Sequence, residues 1–548
     1  MPTVREATFN VLRAHGLTTL FANPGSTEIS LLSGLPEDLR FVLGLHEGAV
    51  ISMAAGYAIG RGAPALALLH TTAGLGNAVN AIATARTNRA PVVILVGQQD
   101  RRHLALEPFL AGHLQGLAGE YPVWVNQPVR AQDLPGAVGR AAHEAVTGRG
   151  PAIVIVPMDD WSAEAETERE DAAAAAVRRA TAVSDADVEP IAALLSEAAS
   201  PALVVGAGAD SAGAWSALVA LAERLGCPVW QEAFGGRAGF PQDHPRFAGH
   251  LPADRKRTRE RLGGHDAVLV VGTGVLRQYP YQPGRFTAPG TRLAVITDDP
   301  AEAHRSPVEY ALLADPAAAC ARLAELVSDR SPAKASASRG AAPAPVARAP
   351  AARGAAPAPP AEGEPLRATH VLAALAERLP ADAVVVEETP SSRPDLHALV
   401  PARAPLGFLS AAMGGLGFAI PAAAGVRMAR PERPVVAVVG DGSAVFGIQA
   451  LWSAARYRCG ALFIVLANGR YAVMDRLAEM HGGGGGPWPG FEEVDVSGLA
   501  RAFGCPARRV ATYAETIAAL DEVVPSLAGR EEPLVLEVAV EPDRTFSP

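Results

Sequence analysis

The sequence is poor in cysteine, in aromatic residues and in long apolar runs. Only four cysteines occur among 548 residues, and without a CxxC pair they indicate neither a zinc knuckle nor a disulfide framework. No stretch reaches the roughly 18 uninterrupted apolar residues of a membrane span, and the N-terminal segment has no apolar core of the signal-peptide type. We therefore expect a reduced, soluble, cytoplasmic protein without a membrane partner.

An excess of basic charge is also missing. The chain has 48 basic and 57 acidic residues, a net charge of −9, which argues against a nucleic-acid partner. About half of the residues are hydrophobic (49%), enough to bury large cores. At roughly 150 residues per domain, the length suggests three or four domains.

Short β-branched runs alternate with Ala-rich helical stretches along the chain. Such runs are typical of strands buried on both faces, as in parallel sheets covered by helices. We therefore predict an α/β fold with three doubly wound parallel-sheet domains. Examples of the predicted strands are Phe41–Leu45, Pro91–Gly97, Ala152–Pro157, Ala202–Gly206, Ala267–Gly272, Leu293–Thr297, Ala383–Glu387, Pro434–Gly440 and Ala461–Asn468.

One segment interrupts this alternation. Ser328–Pro365 is low in complexity, rich in Ala and Pro and without an apolar period, so it cannot bury enough surface to order itself and is predicted to be a semi-extended spacer. The polar stretch Trp161–Ala182 marks a softer boundary. The predicted domains are 1–165, 183–327 and 366–548, with a linker at 328–365, and the spacer leaves open whether the first and third domains pack directly.

A GDG motif in the third domain indicates a cation site. The strand Pro434–Gly440 runs into Asp441-Gly442, and the next strand ends at Asn468 after 25 intervening residues, enough for one β-α-β crossover. Asp441 and Asn468 should then lie side by side at the carboxyl ends of neighbouring parallel strands, where open α/β sheets bind ligands. Carboxylate and amide oxygens, with the Arg470 carbonyl, suit Mg²⁺ shared with phosphates.

The same turn favours phosphate groups. Gly440 and Gly442 let the backbone approach them, and Ser443 is expected to open a helix, with Ile448–Tyr457 as its helical continuation. The alternative is a Gly-rich turn with a capping Asp.

A glutamate in the first domain is a candidate proton-sharing group. The strand Phe41–Leu45 delivers His46-Glu47 to an apolar helix, Ala49–Ala58. Burial among apolar neighbours would partly desolvate Glu47, which suits general acid–base work. The simpler interpretation is a helix-start Glu that interacts with the helix dipole.

These motifs occur in a fixed order. NPGS at 23–26 precedes Glu47, LHTTAGLGNA at 69–78 and GQQ at 97–99 follow it, and GDG with its Asn comes last. The set resembles the thiamin-diphosphate-dependent decarboxylase family, in particular its benzoylformate decarboxylase branch, over essentially the whole chain except the linker. One departure is Ala467, where the family usually has the first Asn of a pair.

The resemblance implies two cofactor domains that flank a central domain, with thiamin diphosphate and Mg²⁺ as cofactors. It implies non-oxidative decarboxylation of a small 2-oxo acid, aromatic or branched, to an aldehyde and CO₂. It further implies a homo-oligomer, because in the family each active site is built from residues of two subunits. The assembly would be at least a dimer and, as in the family, a tetramer.

The resemblance also assigns roles to single residues. Glu47 would activate the cofactor, while Ser26 and His70 would act on the substrate; as alternatives, NPGS is ordinary turn chemistry and His70 is a strand-end histidine. Further cofactor contacts would come from Gly25, Asn77, Ser391, Ser392, Gly414, Leu416, Gly440, Asp441, Gly442, Ser443, Asn468, Arg470 and Tyr471, with Asp441, Asn468 and Arg470 on the metal. The apolar substrate wall would be Leu110, Val473, Met474 and Leu477.

One departure bears on mechanism. Where the branch carries a second active-site histidine, this sequence has Tyr279, within about one residue of register. A phenol donates a hydrogen bond but is a poor base at neutral pH. Slow protonation of the decarboxylated intermediate would then favour its addition to an aldehyde, which is carboligation of the kind that acetolactate synthases perform. A non-catalytic nucleotide-binding protein and a Rossmann dehydrogenase are weaker alternatives. The Gly482–Gly486 run is either a mobile lid or a plain surface loop.

Overall fold

The computed structural model describes residues 1–166, 180–330, 357–361, 363–482 and 486–542. These residues form three parallel sheets of six strands each, interleaved with helices, which confirms the predicted α/β fold. One sheet falls within each predicted domain range. Most of the predicted linker, at 331–356 and 362, and the centre of the glycine run, at 483–485, lie outside the described residues, so the linker, the lid and the domain boundaries stay predictions.

The first sheet has the strand order β2-β1-β3-β4-β6-β5. Its central strand β4 is buried along all seven residues, as expected for a strand covered on both faces. The strands are β1 Thr19–Asn23, β2 Arg40–Leu43, β3 Ala65–Leu69, β4 Val92–Gln98, β5 Trp124–Asn126 and β6 Pro151–Pro157, and the helices are α1 Val4–Ala14, α2 Ile29–Leu32, α3 Glu47–Arg61, α4 Thr71–Thr87 and α5 Leu134–Gly148.

The second sheet has the order β12-β11-β10-β7-β8-β9. Its strands are β7 Pro201–Val205, β8 Val229–Gln231, β9 Phe247–His250, β10 Ala267–Val271, β11 Arg292–Thr297 and β12 Tyr310–Leu313. The surrounding helices are α6 Asp185–Glu197, α7 Ala212–Leu225, α8 Arg255–Leu262, α9 Pro300–His304 and α10 Pro316–Leu326. A buried ion cluster joins this unit to the first one, since Arg89 Nη2 lies 2.5 Å from Glu302 Oε1 and Arg149 pairs with Asp298.

The third sheet has the order β14-β13-β15-β16-β18-β17. Its strands are β13 Val384–Glu388, β14 Phe408–Ser410, β15 Val435–Gly440, β16 Leu462–Ala467, β17 Ala507–Val510 and β18 Leu534–Ala539. The helices are α11 Ala368–Arg378, α12 Arg393–Leu399, α13 Ala419–Ala429, α14 Asp441–Gly447, α15 Ala450–Arg456, α16 Ala472–Met480, α17 Val496–Ala502 and α18 Tyr513–Val523.

The first and third units pack directly, which answers the question that the spacer left open. Helices α3 and α13 contact each other through glycines: a Cβ at Gly56 would overlap the Ala422 carbonyl, and one at Gly425 would overlap the Met53 carbonyl. Such close backbone approach requires residues without side chains. Tyr457 extends the contact by accepting, through its hydroxyl, the Leu43 N–H at 2.7 Å, and one apolar core runs through both units.

The helix after the GDG motif differs from the prediction. It begins at Asp441 rather than Ser443, and the predicted helix Ile448–Tyr457 is observed as Ala450–Arg456. Gly440 is the N-cap of this helix, and the Asp441 carboxylate in its first turn accepts the Gly442 N–H at 2.8 Å, where the helix dipole favours negative charge. In the described part of the chain no helix is long and apolar enough to cross a membrane, and all four cysteines are buried with free thiols.

Candidate active site

The GDG motif and the predicted Asn meet at the carboxyl edge of the third sheet. Strands β15 and β16 pair in parallel with Gly440 opposite Leu466, so Asp441 and Asn468 follow neighbouring strand ends. The Asp441 Oδ2 atom accepts the Gly469 N–H at 2.6 Å, which holds the two turns together. Asn468 Oδ1 accepts the Arg470 N–H at 3.0 Å.

Asp441 fits a role as a metal ligand. It is 5% exposed, burial raises the pKa of its carboxyl group, and no cationic side chain pairs with it among the described residues. A buried carboxylate without a counterion is stabilised by a bound cation. Among the described residues no group of three or more His, Cys, Asp and Glu side chains is arranged to hold a metal ion, so the remaining oxygens would come from Asn468, the Arg470 carbonyl and a phosphate-bearing cofactor, as Mg²⁺ prefers.

The turns around Asp441 leave room for such a cofactor. A Cβ at Gly440 would meet nothing closer than 3.7 Å, so this glycine faces open space. Gly442 instead carries packing, since a Cβ there would come 2.7 Å from the Tyr471 ring. Ser443 is buried on the first turn of α14. Ser392 is also buried and stands at the N-cap position of α12, with Ser391 beside it, half-buried.

Glu388 organises the loop that precedes α13, and the sequence analysis did not single it out. Its carboxylate accepts three backbone N–H groups at 2.7 Å each, from Gly417, Phe418 and Ala419. Burial nevertheless raises the pKa of Glu388 to about 7. The loop contains Gly414, which has a φ of +75°, a conformation that favours glycine. Glu388 thus fixes the loop that contains the predicted cofactor contacts Gly414 and Leu416.

A cavity of about 1160 Å³ opens beside this loop, between the third and central units. Part of it is lined by predicted substrate and cofactor residues: Tyr279, Gly414, Leu416, Val473, Met474 and Leu477. Tyr279 comes from the central unit and is 65% exposed. The structure therefore brings these six predicted residues together around one space.

The first sheet carries a second group of predicted residues at its carboxyl edge. Ser26 begins a 3-10 turn, Ser26–Glu28, and is exposed. His70 follows β3, and its Nδ1 atom lies 3.0 Å from both Glu28 Oε2 and Thr27 Oγ1. Gly25 lies against the His70 ring, since a Cβ there would come within 2.5 Å of ring atoms.

Glu28 is the residue of this group that the sequence analysis missed. Its buried carboxylate accepts the Gly25 N–H at 2.7 Å and faces His70. A Cβ at Gly97 would overlap Glu28 Oε1, so the glycine of the GQQ motif makes room for this carboxylate. The available signal was an acidic residue that follows a buried strand within a turn motif.

Glu47 is the first residue of α3 and is 9% exposed. Its Oε2 atom accepts a hydrogen bond from Asn77 Nδ2 at 3.1 Å, so the structure pairs two predicted cofactor residues. Leu110 lies in the loop after the 3-10 helix Arg101–Leu106, half-buried, with a φ of +67°.

Within one chain the two groups remain apart. Ser26, Glu47, His70 and Leu110 are not among the residues that line the cavity. The chain's own first unit instead contacts the loop that precedes α13 and contains Gly414 and Leu416, here called the cofactor loop. Asn80 Nδ2 on α4 donates to the Leu416 carbonyl at 3.1 Å.

Comparisons with known proteins agree with this geometry. Residues 2–119, 188–323 and 391–538 match the N-terminal TPP-binding, central and C-terminal TPP-binding domains of thiamine pyrophosphate enzymes. A benzoylformate decarboxylase from Pseudomonas aeruginosa is 38% identical over 550 residues, covering 100% of both chains. A putative acetolactate synthase large subunit from Mycobacterium tuberculosis is 30% identical, covering 96% of this chain and 99% of the relative.

Among solved structures, the thiamine diphosphate-dependent 4-hydroxybenzoylformate decarboxylase of Rhodococcus jostii superposes with a TM-score of 0.89 at 35% identity, covering 99% of this chain and 100% of that one. The predicted resemblance and the predicted thiamin diphosphate cofactor are thereby confirmed. The chain belongs to the thiamine pyrophosphate enzyme family, in the branch that contains the benzoylformate decarboxylases.

Proposed function

We propose that the protein decarboxylates an aromatic or branched 2-oxo acid to an aldehyde and CO₂, with thiamin diphosphate and Mg²⁺. The observation that carries this proposal is Asp441, a buried carboxylate that has no cationic partner in the described part of the chain and is held beside Asn468 at the same sheet edge. The Gly469 N–H donates to Asp441 Oδ2 at 2.6 Å, and this hydrogen bond holds the two turns side by side.

In this proposal the third unit holds the cofactor. Asp441, Asn468 and the Arg470 carbonyl bind Mg²⁺, while Ser391, Ser392 and the start of α14 contact the diphosphate. Gly414 and Leu416 support the rings, with Tyr471 packed behind Gly442. When bound, thiamin diphosphate supplies the electron sink for the departing CO₂.

The first unit supplies the acid–base groups. Glu47, oriented by Asn77, shares a proton with the cofactor's pyrimidine. Ser26 hydrogen-bonds the substrate carboxylate from its exposed turn. Because Glu28 and Thr27 hold the Nδ1 atom of His70, the Nε2 atom is the ring nitrogen left to exchange a proton with the substrate oxygen.

We propose that two copies of the chain complete each site, in a dimer at least and in a tetramer of two such dimers. Exposed apolar side chains surround the cofactor edge, among them Met413, Phe446 and Met474, and such patches are typical of interfaces. The first-sheet residues of the second copy would cover them.

A complementation experiment tests the shared site. Glu47→Gln and Asp441→Asn chains are each expected to be inactive as homo-oligomers. If sites form between subunits, a mixed dimer retains one intact site, so random mixing restores about one quarter of wild-type activity. Mixtures without activity, from subunits shown to exchange, would refute the two-chain site.

The substrate class rests on the apolar wall of Val473, Met474 and Leu477, completed by Leu110 of the second copy. Phenylglyoxylate, branched aliphatic and short linear 2-oxo acids should be assayed with and without cofactor, measuring CO₂, aldehyde and hydroxyketone. We expect aldehyde from the aromatic or branched acids, abolished by Asp441→Asn and unchanged by Asp521→Asn, a surface control. No turnover of any acid with cofactor present would overturn the proposal.

Carboligation is the second candidate, favoured by Tyr279 at the cavity. A tyrosine there donates a hydrogen bond but does not serve as a proton-transfer base as histidine does. The decarboxylated intermediate is then protonated more slowly, so an aldehyde acceptor has more time to react with it. Tyr279→His should raise the ratio of aldehyde to hydroxyketone, while Tyr281→His, 86% exposed and outside the cavity lining, should not. An unchanged ratio in Tyr279→His would sink this candidate.

A further inference from the structure

The cavity is larger than the proposed reaction needs. Its volume of about 1160 Å³ exceeds the range of roughly 300–1,000 Å³ usual for a ligand site. One end is the loop and wall described above. The other end, here called the outer lobe, lies between the central unit and α12 and is lined by Trp230, Phe247, His250, Arg261, His397 and Arg403.

The outer lobe has flat aromatic walls. His250 from β9 and His397 from α12 stack with ring centroids 3.9 Å apart and planes 6° apart. Burial lowers the pKa of both rings, that of His397 to about 3, so the pair is neutral at physiological pH. Phe247 packs edge-on against His250 at 5.7 Å. These surfaces suit another aromatic ring.

Polar atoms of the lining lack partners. Trp230 Nε1, Gln278 Nε2 and His397 Nε2 are buried without a hydrogen-bond partner among the described residues, and each belongs to a residue that lines the cavity. The indole and amide nitrogens can only donate. Because buried polar groups are nearly always paired, the Trp230 and Gln278 nitrogens are donors that the acceptor atoms of a ligand would satisfy.

The charge of the lobe points the same way. Arg261 lies 6.0 Å from the centre of the Trp230 ring, and no carboxylate pairs with it in the described parts of the chain. Arg403 also lines the lobe and donates one N–H to the Leu379 carbonyl. The acidic residue in this part of the lining is Asp243, which is exposed. Cations beside an indole stack and pair with aromatic anions.

We propose that the outer lobe is a second ligand site, which binds an aromatic carboxylate separately from the decarboxylation site. Its ring lies between the His250–His397 pair and Trp230, and its carboxylate faces Arg261 and the Trp230 N–H. The site is formed by a single chain and does not depend on the proposed reaction.

The probe is 2-naphthoate, an aromatic carboxylate that has no 2-oxo group to decarboxylate. Binding to the cofactor-loaded enzyme is measured by calorimetry for the wild type, Trp230→Phe and Arg261→Gln. Trp230→Phe keeps an aromatic ring and removes only the N–H donor and some area. Arg259→Gln, on the same helix but bound to the Arg285 carbonyl at 2.8 Å, is the matched control.

We expect both lobe variants to weaken 2-naphthoate binding by about tenfold, with the control unchanged and kcat/KM for 2-oxo acids retained. Absence of binding to the wild type overturns the site. Equal binding by all variants also overturns it, because the probe then occupies only the decarboxylation site. A parallel loss of kcat/KM in both lobe variants overturns it too, since the lobe is then part of the substrate's own path. Calorimetry does not require turnover, so a failure of the proposed reaction leaves this result readable.

Discussion

Glu388→Gln is the substitution that most directly tests how the cofactor loop is held. The carboxylate of Glu388 accepts N–H groups from Gly417, Phe418 and Ala419 at 2.7 Å each. A glutamine oxygen can keep the two bonds to Phe418 and Ala419, but its NH₂ group then faces the Gly417 N–H. Above about pH 7, where Glu388 is ionised, one charged hydrogen bond is then lost, worth about 1.5 kcal/mol or tenfold in an equilibrium constant. We expect the affinity for thiamin diphosphate to fall by about that factor.

The ionisation of Glu388 gives a second, independent signal. Burial, opposed by the three N–H groups and aided by nearby Glu387, raises its pKa from 4.5 to about 7. Because the folded protein binds this proton more tightly than the unfolded chain, the contribution to stability is fully present below about pH 4.5. It is lost as the pH rises through about 7, and the pKa difference corresponds to about 3 kcal/mol.

Denaturant unfolding of the wild type and Glu388→Gln between pH 4.5 and 8 measures this effect. The glutamine cannot ionise, so wild-type stability should fall by about 3 kcal/mol relative to the variant over that range. The control Glu522→Gln alters an exposed carboxylate whose pKa is lowered by Arg508 and should not show this trend. If the wild type and Glu388→Gln keep parallel pH dependences, the assignment of a raised pKa to Glu388 is wrong.

Three further substitutions test the contact between the units, the His70 support and the metal site. Gly425→Ala should lower the free energy of unfolding by about 3 kcal/mol, because its Cβ would overlap a main-chain carbonyl of α3. The control Gly136→Ala lies in open space on α5 and should raise the free energy of unfolding by about 0.5 kcal/mol. Equal effects of the two substitutions in denaturant unfolding would contradict the contact. Glu28→Gln should lower kcat by about tenfold through His70, with cofactor affinity unchanged in a cofactor titration; an unchanged kcat would remove Glu28 from the site. Asp441→Asn should weaken Mg²⁺-dependent cofactor binding by at least about 100-fold, and chelation should abolish wild-type activity until Mg²⁺ is restored; retained cofactor binding would exclude Asp441 as a ligand.

Much of the fold was predictable because its strands are buried on both faces. The run Pro434–Gly440 is apolar at nearly every position and is observed as Val435–Gly440, and the other predicted strand cores agree to within a residue or two. Short edge strands such as Trp124–Asn126 and Ala507–Val510 have no distinctive apolar run, because they are partly exposed and only three or four residues long. The contact of α3 with α13 could not be read from sequence either, because Gly56 and Gly425 are ordinary helix glycines until their partner is known.

The site was predictable where its residues follow strand ends in sequence motifs. Asp441 and Asn468 are placed together by one crossover, and Glu47 by the strand before it. Glu28 and Glu388 were missed because the partners that give each its proposed role, His70 for Glu28 and the loop N–H groups for Glu388, lie far along the chain. The partners of Glu388 lie about thirty residues further along, and the His70 partner of Glu28 lies 42 residues away. An acidic residue at the end of a largely buried strand, or within a few residues of it, is the signal that both share.

The helices α3 and α13, which carry parts of the candidate site, are expected to move together. Glu47 is the first residue of α3, and Glu388 binds the N–H groups that begin α13. At Gly56 and Gly425 no side chain separates the two helix backbones, so a shift of one helix displaces the other. In the proposed dimer, Glu47 of a chain serves the neighbouring site while its own α13 supports the local cofactor loop. In that dimer the α3–α13 contact therefore links the proton-sharing group of one site to the cofactor loop of the other.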